Sequence, residues 1–298
     1  MLKGFFHNYF LTKDSEQLFF GINFDPKKLT PDQSVLVFNY GLVCSNEQFR
    51  YQIEYFHQQN RPILYHDYRG HFVSTGKNNL TKITYQQIAE DAIELLNFLN
   101  IKSCITIGHS MGVNICFEMF RLAPATQKGM ILITGTNFPV NEIMFNTNLM
   151  SFVFPIFQQV LKNDKIPFML LWEFLVTNPV TEKLIHHQGF NVKTVDSEFI
   201  RTYLYKIAEL GPELFATLYD QMNSHFVNNI FPDINIPVLI ISGDSDKVIP
   251  PWIQYELAES LNFSELYIVH EGSHVPQVDF PQMINERIEV FLETHQLN

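Results

Sequence analysis

The chain has 298 residues, of which 46% are hydrophobic, 14% aromatic and only 17% charged. That excludes a disordered chain, because so much buriable apolar surface offsets the entropy of ordering. Twenty Lys and Arg against 31 Asp and Glu leave a net charge of −11, which argues against a nucleic-acid partner and against adsorption to anionic lipid by charge alone.

The first 24 residues read as two strands around the turn Lys13-Asp14-Ser15, a hairpin at a sheet edge. Residues 34–39 (SVLVFN), 62–67 (PILYHD), 103–107 (SCITI), 129–134 (GMILIT), 237–242 (PVLIIS) and 265–270 (ELYIVH) are short, nearly continuous apolar runs. Runs of this kind mark strands buried on both faces. Helical periodicity lies between them. It is clearest over 83–99, where Ile88, Ala92, Leu95, Leu96 and Leu99 form one stripe, and it returns over 277–292. Strands alternating with helices predict a mostly parallel sheet covered on both faces. The alternation breaks over 138–231, where the pattern is helical and no strand stands out. The expected organisation is a core of residues 1–137 and 232–298 with a helical cap of 138–231 over the carboxyl ends of the strands, where ligands bind in open α/β sheets. The cap holds 12 of the 28 phenylalanines. Such a composition suits either packing onto the sheet or an apolar wall above a pocket.

Cys44, Cys104 and Cys116 fit no zinc or redox spacing and read as buried free thiols in a reducing compartment. Residues 1–10 contain no long apolar segment and no small-residue cleavage site, and no apolar run approaches the length of a membrane span. The expected location is cytoplasmic, without stable membrane insertion.

Gly108-His-Ser-Met-Gly112 lies between the strand ending at Ile107 and a helical pattern over 112–121. A tight strand-to-helix turn strains the serine backbone and tolerates only tiny flanking residues, which Gly108 and Gly112 supply. A serine hydroxyl needs a base, and the base needs an orienting acid. The strand over 237–242 runs into Gly243-Asp-Ser-Asp-Lys-Val-Ile-Pro250, and that over 265–270 into Glu271-Gly-Ser-His274. Both loops would reach the same rim as Ser110, so His274 is the candidate base, with Asp246 and Asp244 as rival acids.

Together these segments resemble the α/β-hydrolases, in the cap-bearing esterase and epoxide-hydrolase-like group. Further matches carry the resemblance. Asn39-Tyr-Gly-Leu-Val-Cys-Ser45 stands where that group has its His-Gly oxyanion loop. Asp67-Tyr-Arg-Gly-His-Phe-Val-Ser74 resembles Asp-x-Arg-Gly-x-Gly-x-Ser. Residues 243–250 resemble Gly-x-x-Asp-x-x-x-Pro, and His274 is followed by Asp279 and Pro281 at the group's spacing. The resemblance implies an α/β-hydrolase fold, Ser110 as nucleophile, His274 as general base, Asp246 as orienting acid, and the backbone amides of Leu42 and Met111 as oxyanion hole. The position after the preceding strand, used for the acid by some relatives, reads Gly135-Thr-Asn137 and offers no carboxylate. Two departures stand out: Tyr40 replaces the usual histidine before Gly41, and Phe72 replaces the second glycine of its motif. Asp67 and Arg69 are read as loop braces, and His109 occupies a position where the group accepts almost any residue.

Serine at the elbow, rather than aspartate, points away from epoxide opening and halide displacement and toward acyl transfer. The expected activity is hydrolysis of a carboxylic ester of an apolar small molecule or lipid through an acyl-enzyme. A thioesterase, lactonase or carbon–carbon hydrolase on the same triad is the alternative, as is a small-ligand binder without turnover. Tyr40, Phe138, Phe145 and Trp172 are the expected substrate contacts. The sequence has no His-Glu-x-x-His, P-loop or dinucleotide glycine fingerprint, and His186-His187 has no ligand partner at helical spacing. No metal or cofactor is therefore expected.

Overall fold

The computed structural model describes residues 4–30, 32–144, 147, 149–163 and 165–297. The chain opens with β1 (Phe6–Leu11) and β2 (Gln17–Ile22), an antiparallel hairpin at the sheet edge. Its turn places Ser15 in the left-handed region, φ 71°. The alternating part follows: β3 (Val35–Asn39), α1 (Arg50–Gln58), β4 (Ile63–His66), α2 (Tyr85–Phe98), β5 (Cys104–His109), α3 (Met111–Leu122) and β6 (Gln127–Ile133). Six helices come next, α4 (Val140–Ile143), α5 (Leu149–Asn163), α6 (Lys165–Thr177), α7 (Pro179–Gly189), α8 (Ser197–Leu210) and α9 (Pro212–Ser224). The chain closes with β7 (Val238–Gly243), α10 (Pro251–Ser260), β8 (Ser264–Val269), α11 (Pro276–Asp279) and α12 (Pro281–Thr294).

The eight strands form one sheet in the order β1-β2-β4-β3-β5-β6-β7-β8, parallel from β4 through β8. Its central strands are buried along their whole length, which is why they read as unbroken apolar runs. The strand expected over 265–270 differs. As β8 it is an edge strand with β7 as its one neighbour, and five of its six residues are partly exposed. The helix expected over 277–292 is also interrupted. Phe280 adopts φ −134°, ψ 61° because the ring of Pro281 disfavours helical backbone in the residue before it. Pro281 then opens α12, where its missing N–H costs no helical bond. Thr84 caps α2 by accepting from the Gln87 amide at 3.1 Å.

Among the described residues of 138–231 there are helices and no strand, and the end of this stretch packs against the sheet's helices. Ile230 and Phe231, in the 3-10 turn Asn228–Asp233, are buried beside α3, with the rings of Phe231 and Phe117 5.1 Å apart.

Candidate active site

Ser110 stands between β5 and α3 at φ 53°, ψ −119°, a strained conformation for a residue with a side chain. Its own amide donates to Ile133 O at 2.9 Å, which ties the turn to β6. The neighbouring glycines are required by close approach. A Cβ on Gly112 would lie 2.0 Å from Asn39 O, and one on Gly108 would lie 2.5 Å from Gly112 O.

Asp246 and His274 arrive on the loops after β7 and β8. His274 Nδ1 and Asp246 Oδ2 are 2.9 Å apart, with the carboxylate fully enclosed. The other oxygen of Asp246 accepts from the amides of Val248 (2.7 Å) and Ile249 (2.9 Å). Two amide donors on one oxygen fix the orientation of the carboxylate. The two loops touch at Gly243, where a Cβ would lie 2.1 Å from Gly272 O. Asp244 is placed elsewhere: it bonds His270 Nδ1 at 2.8 Å and the Ser245 hydroxyl on the exposed rim. Asp279 pins the histidine loop, accepting from Ser273 N at 2.6 Å and from Asn191 N at 3.2 Å.

The residue before the serine has a role that sequence reasoning missed. His109 is buried, and its Nε2–H donates to the main-chain oxygen of His274 at 2.9 Å. Thr134 Oγ1 donates to the same oxygen at 2.8 Å. Burial, reinforced by the neighbouring His274 ring, pushes the His109 pKa down to about 3, so the imidazole is neutral at physiological pH. The available signal was position: a polar side chain adjacent to Ser110 at the end of a fully buried strand must find a polar partner nearby.

Ser110 and His274 line a cavity of about 230 Å³ that also takes walls from α5, α7, α8 and α9. Its walls are mostly apolar, with Met144, Met150, Ile207, Phe215 and Met222 facing Leu42 and Val248. Of the expected substrate contacts, Tyr40, Phe138 and Trp172 are not among its described walls. Tyr40 is fully buried and braces the backbone instead: its hydroxyl accepts from Tyr68 N at 2.9 Å, while Tyr68 OH donates to Tyr40 O at 3.0 Å. That exchange ties the residue before Gly41 to the segment after β4. Phe138 packs its ring 6.1 Å from that of Trp252. Trp172 lies one layer back, its ring 5.7 Å from Phe215, which does face the cavity. Phe145 lies outside the described residues.

The other departures and braces are also accounted for. Phe72 takes φ 47° in the place of a glycine, with Lys206 Nζ 4.9 Å above its ring. Arg69 is buried and forks onto Asp91 at 2.5 and 2.6 Å while reaching Asp14 in the hairpin turn at 3.2 and 3.3 Å. Cys44, Cys104 and Cys116 are buried and free.

The strand order and the strand-to-helix turn after β5 are those of the α/β-hydrolase fold. The chain belongs to the family described as serine aminopeptidase, S33, which it matches over residues 30–279. Among curated proteins it is 24% identical over 263 residues to human Protein ABHD8, covering 87% of this chain and 55% of that protein. The chain thus spans about half the length of these curated relatives. Among solved structures, the bromoperoxidase from Bacillus anthracis superposes with a TM-score of 0.76 at 16% identity, covering 96% of this chain and 99% of the other. The esterase from Exiguobacterium antarcticum superposes with a TM-score of 0.76 at 15% identity, covering 97% and 100%.

Proposed function

We propose that this hydrolase cleaves a carboxylic ester of an apolar molecule through an acyl-enzyme on Ser110, with His274 as general base and Asp246 as its orienting acid. The carrying observation is the 2.9 Å His274–Asp246 hydrogen bond at the edge of the cavity that Ser110 also lines. Asp246 holds the proton of His274 on Nδ1, leaving Nε2 as the base. Ser110 Oγ attacks the acyl carbon as its proton passes to His274. His274 then protonates the departing alcohol, and later activates the water that releases the acid.

The oxyanion would rest on the amides of Leu42 and Met111. Neither donates to another group among the described residues, and Met111 opens α3, where helix amides are free. Cys44 shares the cavity, but burial pushes its thiol up to about 12 against a smaller opposing effect from Tyr203. A protonated thiol is a weak nucleophile, so the chemistry falls to the serine.

The helical segment acts as the cap, since α5, α7, α8 and α9 supply most of the cavity's apolar wall. The lining favours an ester over the peptide that the family's description names. An aminopeptidase must recognise an ammonium group, and no carboxylate is among the described residues lining the cavity. An uncharged acyl group meets no such deficit there.

The test is purified protein with a fluorophosphonate probe and a chain-length series of p-nitrophenyl esters, beside Ser110→Ala. Labelling and turnover that vanish in the variant are expected. An unaltered protein that shows neither would leave a binder in place of an enzyme.

A further inference from the structure

Helices α5, α6 and α7 pack successively on one another and carry a field of large apolar side chains on their outer side. On α5, Phe152, Ile156 and Val160 recur every fourth residue, with Phe152 70% and Ile156 63% exposed. On α6, Leu171, Phe174 and Leu175 face outward, Phe174 at 67%. Packing does not require them. The inward stripe of α6, with Trp172 and Val176, is already buried against Phe199, Ile200 and Leu204 of α8, and an amphipathic helix needs one such stripe. A contiguous exposed apolar field marks a surface that meets something.

Two observations identify what it meets. The first is charge. Residues 149–177 contain four charged residues, Lys162, Asp164, Lys165 and Glu173, which cancel, in a chain of net charge −11. Anionic lipid would be repelled by the molecule as a whole, and this segment offers no net positive charge to offset that, so the complementary surface is uncharged or zwitterionic. The second is continuity with the site. Met150 of α5 lines the catalytic cavity, and Phe157 of α5 packs edge-on against the cavity residue Phe215, ring centres 5.7 Å apart. One helix is therefore at once a wall of an apolar cavity and part of the outer apolar field. No helix among the described residues is long and apolar enough to cross a membrane.

We propose that the outer face of α5 and α6 docks peripherally on a zwitterionic lipid surface, bringing the catalytic cavity to its apolar substrate at the interface. The helices would lie in the plane of the headgroups with the phenylalanines below them. Binding needs no turnover, so this inference stands or falls independently of Ser110 as nucleophile.

The experiment sediments full-length Ser110→Ala protein with phosphatidylcholine vesicles, with and without Phe152→Glu and Phe174→Glu together. The Ser110→Ala protein should partition onto the vesicles, insensitively to salt. The added substitutions should weaken partitioning by at least about tenfold. In the parent with an intact Ser110, they should leave the melting temperature and the hydrolysis of water-soluble p-nitrophenyl acetate unchanged. Failure of the Ser110→Ala protein to bind vesicles would overturn the proposal, whatever the variant's folding. So would undiminished binding by the folded variant. A dimer in sedimentation analysis that the two substitutions dissociate would give the face to a second copy and refute lipid docking.

Discussion

His109 and His274, 165 residues apart in sequence, are joined by a 2.9 Å hydrogen bond from one imidazole to the other residue's main-chain oxygen. With the Thr134 hydroxyl on the same oxygen, the strand ends that flank Ser110 hold the backbone of His274, the proposed base. His109 would act as a positioning residue. His109→Leu should lower kcat about tenfold with KM little changed, because a small displacement of a general base costs rate more than binding. Thr134→Val should move kcat the same way. Steady-state kinetics on a soluble p-nitrophenyl ester decides, and an unchanged kcat in both variants would leave the clamp purely structural.

Asp246 and Asp244 are two residues apart but differ in surroundings. Asp246→Asn removes the charge that orients His274, and should cost roughly three to four orders of magnitude in kcat. Asp244→Asn touches His270 and Ser245 on the rim, and should stay within about twofold. The opposite ranking would transfer the acid's role.

The cavity wall predicts acyl selectivity. Met150→Ala removes a flexible side chain from the cavity lining. The preferred p-nitrophenyl ester should shift to longer acyl chains, read as the ratio of kcat/KM values along the series. An unmoved optimum would place the acyl group elsewhere.

Arg69 joins the hairpin turn to α2 from a buried position. Arg69→Met keeps much of the volume but leaves Asp91 as an unpaired buried carboxylate, so a loss of about 3–5 kcal/mol is expected in urea unfolding. The Asp14 carboxyl, held low chiefly by its bonds from Arg69, should titrate nearer its ordinary value in the variant.

His66 is buried at the end of β4, and burial lowers its pKa to about 4. Below pH 6.5 the unfolded chain takes up a proton that the folded chain refuses until about pH 4. Stability contributed by this group is therefore lost as pH falls through that window, and falls no further below it. The sum is about 3 kcal/mol. Asp67 next to it has the opposite sign: desolvation raises its carboxyl to about 7, so it favours the folded state as pH falls from 7 toward 4. His66→Phe isolates the first effect. Relative to the parent protein, the variant should gain stability as pH drops from 7 to 4, measured by urea unfolding at each pH.

Much of this protein was legible in its sequence because the signals were local. Gly108-His-Ser-Met-Gly112 between an apolar strand and a helix can form few turns, and the close approaches at Gly112 and Gly108 show why. The parallel order followed from alternating apolar runs. The loops after β7 and β8 were placed beside Ser110 by the parallel sheet, which brings strand ends to one rim. What stayed hidden depended on contacts across the chain. Tyr40 reads as a substrate contact, since the sequence does not show that its hydroxyl meets the Tyr68 amide. Trp172 suits the site by composition, but it packs against Phe215, and that ring lines the cavity. His109 had no legible partner, because the oxygen it binds belongs to a residue 165 positions away. Sequence thus determined the fold and the candidate chemistry, through periodicity and steric limits that act within a few residues. Tertiary structure alone decided which side chains face the cavity, which brace it and which face water, because those choices depend on what long-range packing leaves beside each one.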